Sequence, residues 1–74
     1  MRRIPVRSRL IKTIAFDEVE KELEIYFHNG EVRYVSGIPS EVVAALLLSA
    51  SPGNYYLDHI RNHYPRRSVR ERAA

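Results

Sequence analysis

Residues 23–35 read LEIYFHNGEVRYV, and the Asn29-Gly30 pair near their centre decides how the rest of the chain is read. Asn and Gly both tolerate positive φ, which suits a two-residue type I′ turn between two antiparallel strands. With His28 opposite Glu31, the pairing sets Phe27 against Val32, Tyr26 against Arg33, Ile25 against Tyr34 and Glu24 against Val35. Side chains alternate along a strand, so this register gathers Leu23, Ile25, Phe27, Val32 and Tyr34 on one core-facing side. The other side carries Glu24, Tyr26, His28, Glu31, Arg33 and Val35, a mixture polar enough to meet water.

Working outward from the hairpin, Ile11 to Asp17 alternates poorly but is rich in β-branched and aromatic residues, and it reads as a preceding strand. The polar stretch from Asp17 to Lys21 has the length of a turn. Downstream, Gly37 ends the third strand. Pro39-Ser40-Glu41 opens a helix, with proline in the first turn and an acid where the helix dipole favours one. Val42, Val43, Leu46, Leu47 and Ala50 give that helix an apolar stripe. Ser51 as N-cap and Pro52 at the first helical position start a second helix, which runs through Tyr56, Ile60 and Tyr64 until Pro65 stops it. The expected fold is α+β, a three-stranded antiparallel β-meander followed by two α-helices packed on one sheet face. It occupies residues 10–65, after a basic N-terminal segment (1–9). The basic tail at 66–74 lacks a repeated apolar face and is expected to be disordered.

Composition bounds the possibilities. A chain of 74 residues buries only about 60% of its unfolded surface, which is enough for one core. Hydrophobic residues make up 45% and charged residues 28%, the balance of an ordinary globular domain. The chain has no cysteine, which removes disulfides and thiolate zinc sites and fits a reducing cytosol, so a cytoplasmic location is expected. The apolar run Val42 to Leu48 is far short of the ~18 residues that span a bilayer, and no membrane contact is expected. Arg2 and Arg3 are followed by Pro5, Arg7, Ser8 and Arg9 instead of an apolar stretch, so no export signal is expected.

The net charge of +3 conceals three blocks. Residues 1–12 carry Arg2, Arg3, Arg7, Arg9 and Lys12 without an acid. Residues 13–60 hold Asp17, Glu18, Glu20, Glu22, Glu24, Glu31, Glu41 and Asp58 against Lys21 and Arg33. Residues 61–74 carry Arg61, Arg66, Arg67, Arg70 and Arg72 against Glu71. Basic ends around an acidic middle point towards nucleic acid, although such ends also serve simply as solvated tails.

Several positions recur in a known order: Ser8; Ile11-Lys12-Thr13-Ile14 and Phe16-Asp17; Leu23 and Phe27 before Asn29-Gly30; Ile38-Pro39; Leu46-Leu47 and Ala50-Ser51; Gly53; Tyr55-Tyr56; Ile60-Arg61 and Tyr64-Pro65. Together they resemble the KTSC domain, a family named for the C-terminal extension of some lysyl-tRNA synthetases and also found as short stand-alone bacterial proteins. The resemblance runs from about Val6 to Pro65. The family has no established activity, and RNA binding has been suggested for it. A Tyr-x-Tyr element typical of the family falls on Arg33 and Val35 when Ile38-Pro39 is aligned. In the register above, this exchanges two exposed aromatics for a cation and an aliphatic.

No catalytic constellation stands out. The acids of residues 17–24 lie on a turn and on the water-facing side of a strand, where solvation explains them. Ser8, Ser40 and Ser51 have no base in a nucleophile motif, and the three glycines form no phosphate-cradling loop. His59 and His63 are four apart on a helix, but closed zinc sites need four ligands, so no metal and no cofactor is expected. The chain reads as a non-enzymatic binding module. The first reading is RNA binding, in which Arg2, Arg3, Arg66, Arg67, Arg70 and Arg72 neutralise phosphates, Tyr26 and Arg33 meet unpaired bases on the exposed sheet face, and Arg61 grips a phosphate or pairs with an acid. The alternative is a protein-interaction or homo-oligomerisation module in which Val35 lies on an exposed edge strand that pairs with a partner.

Overall fold

The structure, a computed structural model, describes residues 2–70. Five strands, β1 (Ile4–Pro5), β2 (Ile11–Asp17), β3 (Glu22–Phe27), β4 (Glu31–Ser36) and β5 (Arg66–Arg70), form one antiparallel sheet in the order β1-β2-β3-β4-β5. Helix α1 (Ser40–Leu48) and helix α2 (Pro52–Tyr55), which passes straight into a π-helical turn at Tyr56–Ile60, connect β4 to β5. The α+β class and the antiparallel meander are as the sequence predicts. The sheet has five strands instead of three.

The register of the central hairpin differs from the sequence reading by one residue. Leu23 pairs with Val35, Glu24 with Tyr34, Ile25 with Arg33 and Tyr26 with Val32. The connection is therefore the three residues His28, Asn29 and Gly30. Only Gly30 takes positive φ (91°), whereas a type I′ turn needs it at Asn29 as well. The Gly30 N–H donates to the Phe27 carbonyl (3.2 Å), and the Asn29 side-chain oxygen accepts from Glu31 N–H (2.9 Å). His28 is drawn out of the ladder by the β1–β2 loop: its N–H donates to the Leu10 carbonyl (3.2 Å), and its imidazole bonds the Ser8 carbonyl (2.9 Å). A one-residue slip exchanges the faces of a whole strand. Val35 and Arg33 turn towards the helices, and Val32 and Tyr34 turn away from them.

In β2 the pairing skips from Ile11↔Phe27 to Thr13↔Tyr26, a bulge that leaves Lys12 without a partner in the ladder. The extra residue lets Ile11 and Ile14, three apart, both face the core, which explains the poor alternation of that strand. Ile11, Ile14, Leu23, Ile25 and Val35 pack against Ile38, Val43 and Leu46, with Tyr56 and Ile60 closing the core. Helix α1 buries a narrower stripe than predicted: Val43 and Leu46 are buried, while Leu47 and Ala50 face outward. Ser51 and Pro52 occupy the expected cap and first positions of α2. Regular helix ends at Ile60 and not at Tyr64, because the Arg61 N–H bonds the Tyr56 carbonyl five residues back (2.9 Å) and the chain then turns. No helix among the described residues is long and apolar enough to cross a membrane.

The segment expected to be a disordered tail begins instead with β5, which pairs with β4 from Val35↔Arg66 to Glu31↔Arg70. An edge strand needs backbone pairing and tolerates arginines that shield it from further strands, so hydrophobic patterning does not reveal it. Arg72 lies outside the described residues. Because β5 covers β4, Val35 is buried (1% exposed) and is not on an edge, which removes the ground for strand addition there.

Candidate nucleic-acid interface

The helices pack on one side of the sheet, and the other side is open. Along the open side run Thr13, Tyr26, Val32 and Val69 in one row and Ala15, Glu24, Tyr34 and Arg67 in the next. Ala15 and Val32 are buried there without belonging to the main core, under the longer side chains of the same face. Tyr26 and Tyr34 lie diagonally across β3 and β4, the spacing at which aromatic side chains on neighbouring strands still interact.

Each tyrosine carries a guanidinium. The Arg3 carbon Cζ sits 3.6 Å from the Tyr26 ring centre, and Arg67 Cζ lies 4.6 Å from that of Tyr34. Arg3 reaches the face from just before β1, with its Nε donating to Thr13 Oγ1 (3.2 Å). Arg67 reaches it from β5, opposite Tyr34. The Tyr26 hydroxyl donates to Glu24 Oε1 at 2.6 Å. That bond to an anionic acceptor, helped by partial burial, pushes the hydroxyl pKa from 10.0 up to about 12, against the opposing pull of Arg3. Because the folded value lies above the ordinary one, the stabilisation it represents is complete below pH 10 and is lost as pH rises from 10 through about 12. An ultraviolet titration of the wild type minus Tyr26→Phe should therefore give a midpoint near 12, and Glu24→Gln should move it back towards 10. A Tyr26 midpoint unmoved by Glu24→Gln would show that the carboxylate is not the cause.

The predicted site residues divide between the two faces. Arg3, Tyr26 and Arg67 meet on the open side, and Arg2 is exposed before β1. Arg33 is on the helix side, a correction that follows from the hairpin register. There its Nη1 donates to Tyr56 Oη (2.6 Å), Nε to Ser68 Oγ (2.8 Å) and Nη2 to Glu31 Oε2 (3.4 Å), with Cζ 4.9 Å from the Phe27 ring centre. Its side chain is 17% exposed. The positions expected to carry the Tyr-x-Tyr element thus face the helices and do not form a solvent platform. Arg66 also leaves the open face, because its guanidinium donates to the Arg61 carbonyl and the Asn62 side chain. Arg61 is exposed beside a cleft of about 190 Å³ formed with Phe27, Glu31, Arg33 and Tyr56.

Tyr34 is the site residue that sequence reasoning placed in the core. Only the register could have moved it. His59 packs against the Tyr55 ring (4.6 Å between centres), and the His63 imidazole bonds the Asp58 carbonyl (3.2 Å), beyond the end of the helix. Among the described residues no cluster of three or more potential metal ligands occurs.

Compared with known proteins, residues 7–64 match the KTSC domain. An uncharacterised protein of Stutzerimonas stutzeri is 30% identical over 56 residues, spanning 76% of this chain and 79% of that protein. The crystal structure of a KTSC domain protein from Yersinia pestis has a TM-score of 0.87 and 25% identity, covering 92% of this chain and 96% of that one. The order of strands and helices, the match across residues 7–64 and these relatives agree, and the chain belongs to the KTSC domain family.

Proposed function

We propose that the open sheet face binds single-stranded RNA, with Tyr26 and Tyr34 stacking two unpaired bases and Arg3 and Arg67 taking the adjoining phosphates. The observation that supports this reading most directly is the placement of both tyrosines, each under or beside a guanidinium, on the face that no helix covers. An exposed cation–π contact contributes about 0.5–1 kcal/mol, whereas a base on an aromatic ring contributes about 1–3 kcal/mol. A base therefore displaces the guanidinium from its ring, and the released arginine is left beside the sugar–phosphate backbone, where it pairs with phosphate. Glu24, between the tyrosines, repels phosphate at that spot and offers its carboxylate to the exocyclic amine of a base. RNA is preferred to DNA on the strength of the family resemblance.

The test is fluorescence anisotropy with short single-stranded RNA, and its DNA counterpart, across a salt series. Arg2, Arg3 and Arg67 are the cations available to this face, and release of about three counterions predicts a log–log salt slope near −2 on single strands. The six arginines of the sequence reading would instead predict about −4. Tyr26→Ala and Tyr34→Ala should each weaken binding by roughly 5- to 150-fold. Absence of binding at low salt, or tyrosine variants that bind like the wild type, would end this reading.

A further inference from the structure

A second pair of surfaces, at opposite ends of β2, is not used by the sheet-face site. One is the turn between β2 and β3. Its apex, Glu18-Val19-Glu20, is fully out in solvent, with Val19 87% exposed. The apex is nevertheless held in one shape. Asp17 Oδ1 accepts the N–H groups of Val19 (3.0 Å) and Glu20 (3.1 Å), and Lys21 holds a positive φ of 54°. An apolar side chain between two acids, fixed in advance, binds with less loss of freedom than a mobile loop would.

The other surface is a groove of about 640 Å³ between the β1–β2 loop and the start of α2. Arg7 and Arg9 stand at its edge, Leu10, Ala50 and Leu57 supply apolar lining, and none of its lining residues is acidic. This side is rigid too. Ser8 Oγ accepts the N–H groups of Leu10 (3.0 Å) and Ile11 (3.1 Å). Gly53 brings α2 so close that a Cβ there would lie 3.0 Å from Ser8 Oγ. Among the described residues Arg7, Arg9, Glu18 and Glu20 have no ion-pair partner. Two cations two residues apart flank the groove, and two acids two residues apart flank an exposed valine.

We infer that the Glu18-Val19-Glu20 apex of one copy docks into the Arg7/Arg9 groove of a second copy, so that the protein assembles head to tail. The valine enters the apolar lining and each acid meets an arginine. A chain cannot fill its own groove, because apex and groove are separated by the length of β2, roughly 20 Å for seven residues. The contact joins two different surfaces, so it propagates into a row or closes into a ring and does not stop at a symmetric dimer. Exposed ion pairs are individually weak and are screened by salt. The association is accordingly transient and belongs to high protein concentration and low ionic strength.

The experiment is sedimentation velocity on the full chain over a wide concentration range at low and high salt, with circular dichroism to establish that each variant is folded. The wild type should exceed the monomer mass at low salt, increasingly with concentration, and return to monomer at high salt. Glu18→Lys/Glu20→Lys keeps its groove, and Arg7→Glu/Arg9→Glu keeps its apex. Each alone should lose self-association by at least about tenfold, since like charges now face one another. Mixed in equal amounts, they should co-assemble into alternating rows, because the native apex of one fits the native groove of the other and the reversed apex fits the reversed groove. The fourfold variant should associate again. A wild type that stays monomeric throughout, or charge variants that associate like the wild type, would overturn the inference. So would an Arg7→Glu/Arg9→Glu variant that loses affinity for a single-stranded RNA probe while its mass distribution matches the wild type, which would assign the groove to nucleic acid.

Discussion

Truncation after Pro65 should lower the thermal midpoint by about 10–20 °C, for a loss of about 2–4 kcal/mol in a domain of this size. The backbone terms nearly cancel: β5 contributes hydrogen bonds at about 0.5–1.5 kcal/mol each against about 1–2 kcal/mol of entropy per ordered residue. Side-chain burial decides the sign. Val32 (3% exposed) pairs with Val69, Val35 (1% exposed) pairs with Arg66, and a fully buried valine is worth about 1.5–3 kcal/mol. Arg33 would also lose its bond to Ser68. The truncated chain would present β4 as a bare edge, so concentration-dependent aggregation should accompany the lower midpoint. A disordered tail predicts no change, and a midpoint within a few degrees of the full chain would contradict the five-stranded sheet.

Arg33→Ala should cost about 2–4 kcal/mol in urea unfolding. Tyr56 is fully buried, and its hydroxyl would be left without the guanidinium that accompanies it. Leaving such a group unsatisfied costs about 1–3 kcal/mol, and the stacking of the cation over Phe27 adds to the loss. The hydroxyl is the coupling element, so a double-mutant cycle isolates it. In a Tyr56→Phe background the same substitution should cost at least about 1 kcal/mol less. Arg33→Lys should recover only part of the loss, because one ammonium group cannot span Tyr56, Ser68 and Glu31 as a planar fork does. Additive effects of the two substitutions would show that the hydroxyl and the guanidinium do not support each other.

The fold was legible where local chemistry decides it. The hairpin, the start of each helix at Pro39 and Pro52, and the core roles of Ile25, Leu46, Tyr56 and Ile60 all follow from periodicity and breaker residues. The register was not legible, because Asn-Gly serves two- and three-residue loops alike. The choice between them coincides with bonds from His28 to Leu10 and Ser8, contacts that no window around the turn contains. β5 escaped because its stability lies in pairing with β4, from which it is separated by the 29 residues 37–65 that carry the helices. The site followed the same division. Arg3, Tyr26 and Arg67 were identifiable by residue type, whereas the faces taken by Tyr34 and Arg33 depend on the single residue by which the hairpin slips.

The meander order also governs how quickly the chain organises. Each of the four pairings joins strands that are consecutive in the chain, and three are closed by loops of five residues (6–10), four (18–21) and three (28–30). Short closures of this kind form in microseconds, so β1 to β4 make a nucleus whose search is local. The fourth closure spans residues 37–65 and requires the helices to settle first. Docking of β5 is then the last event, after the barrier set by the β1 to β4 nucleus, and substitutions confined to β5 should speed unfolding while leaving the refolding rate nearly unchanged.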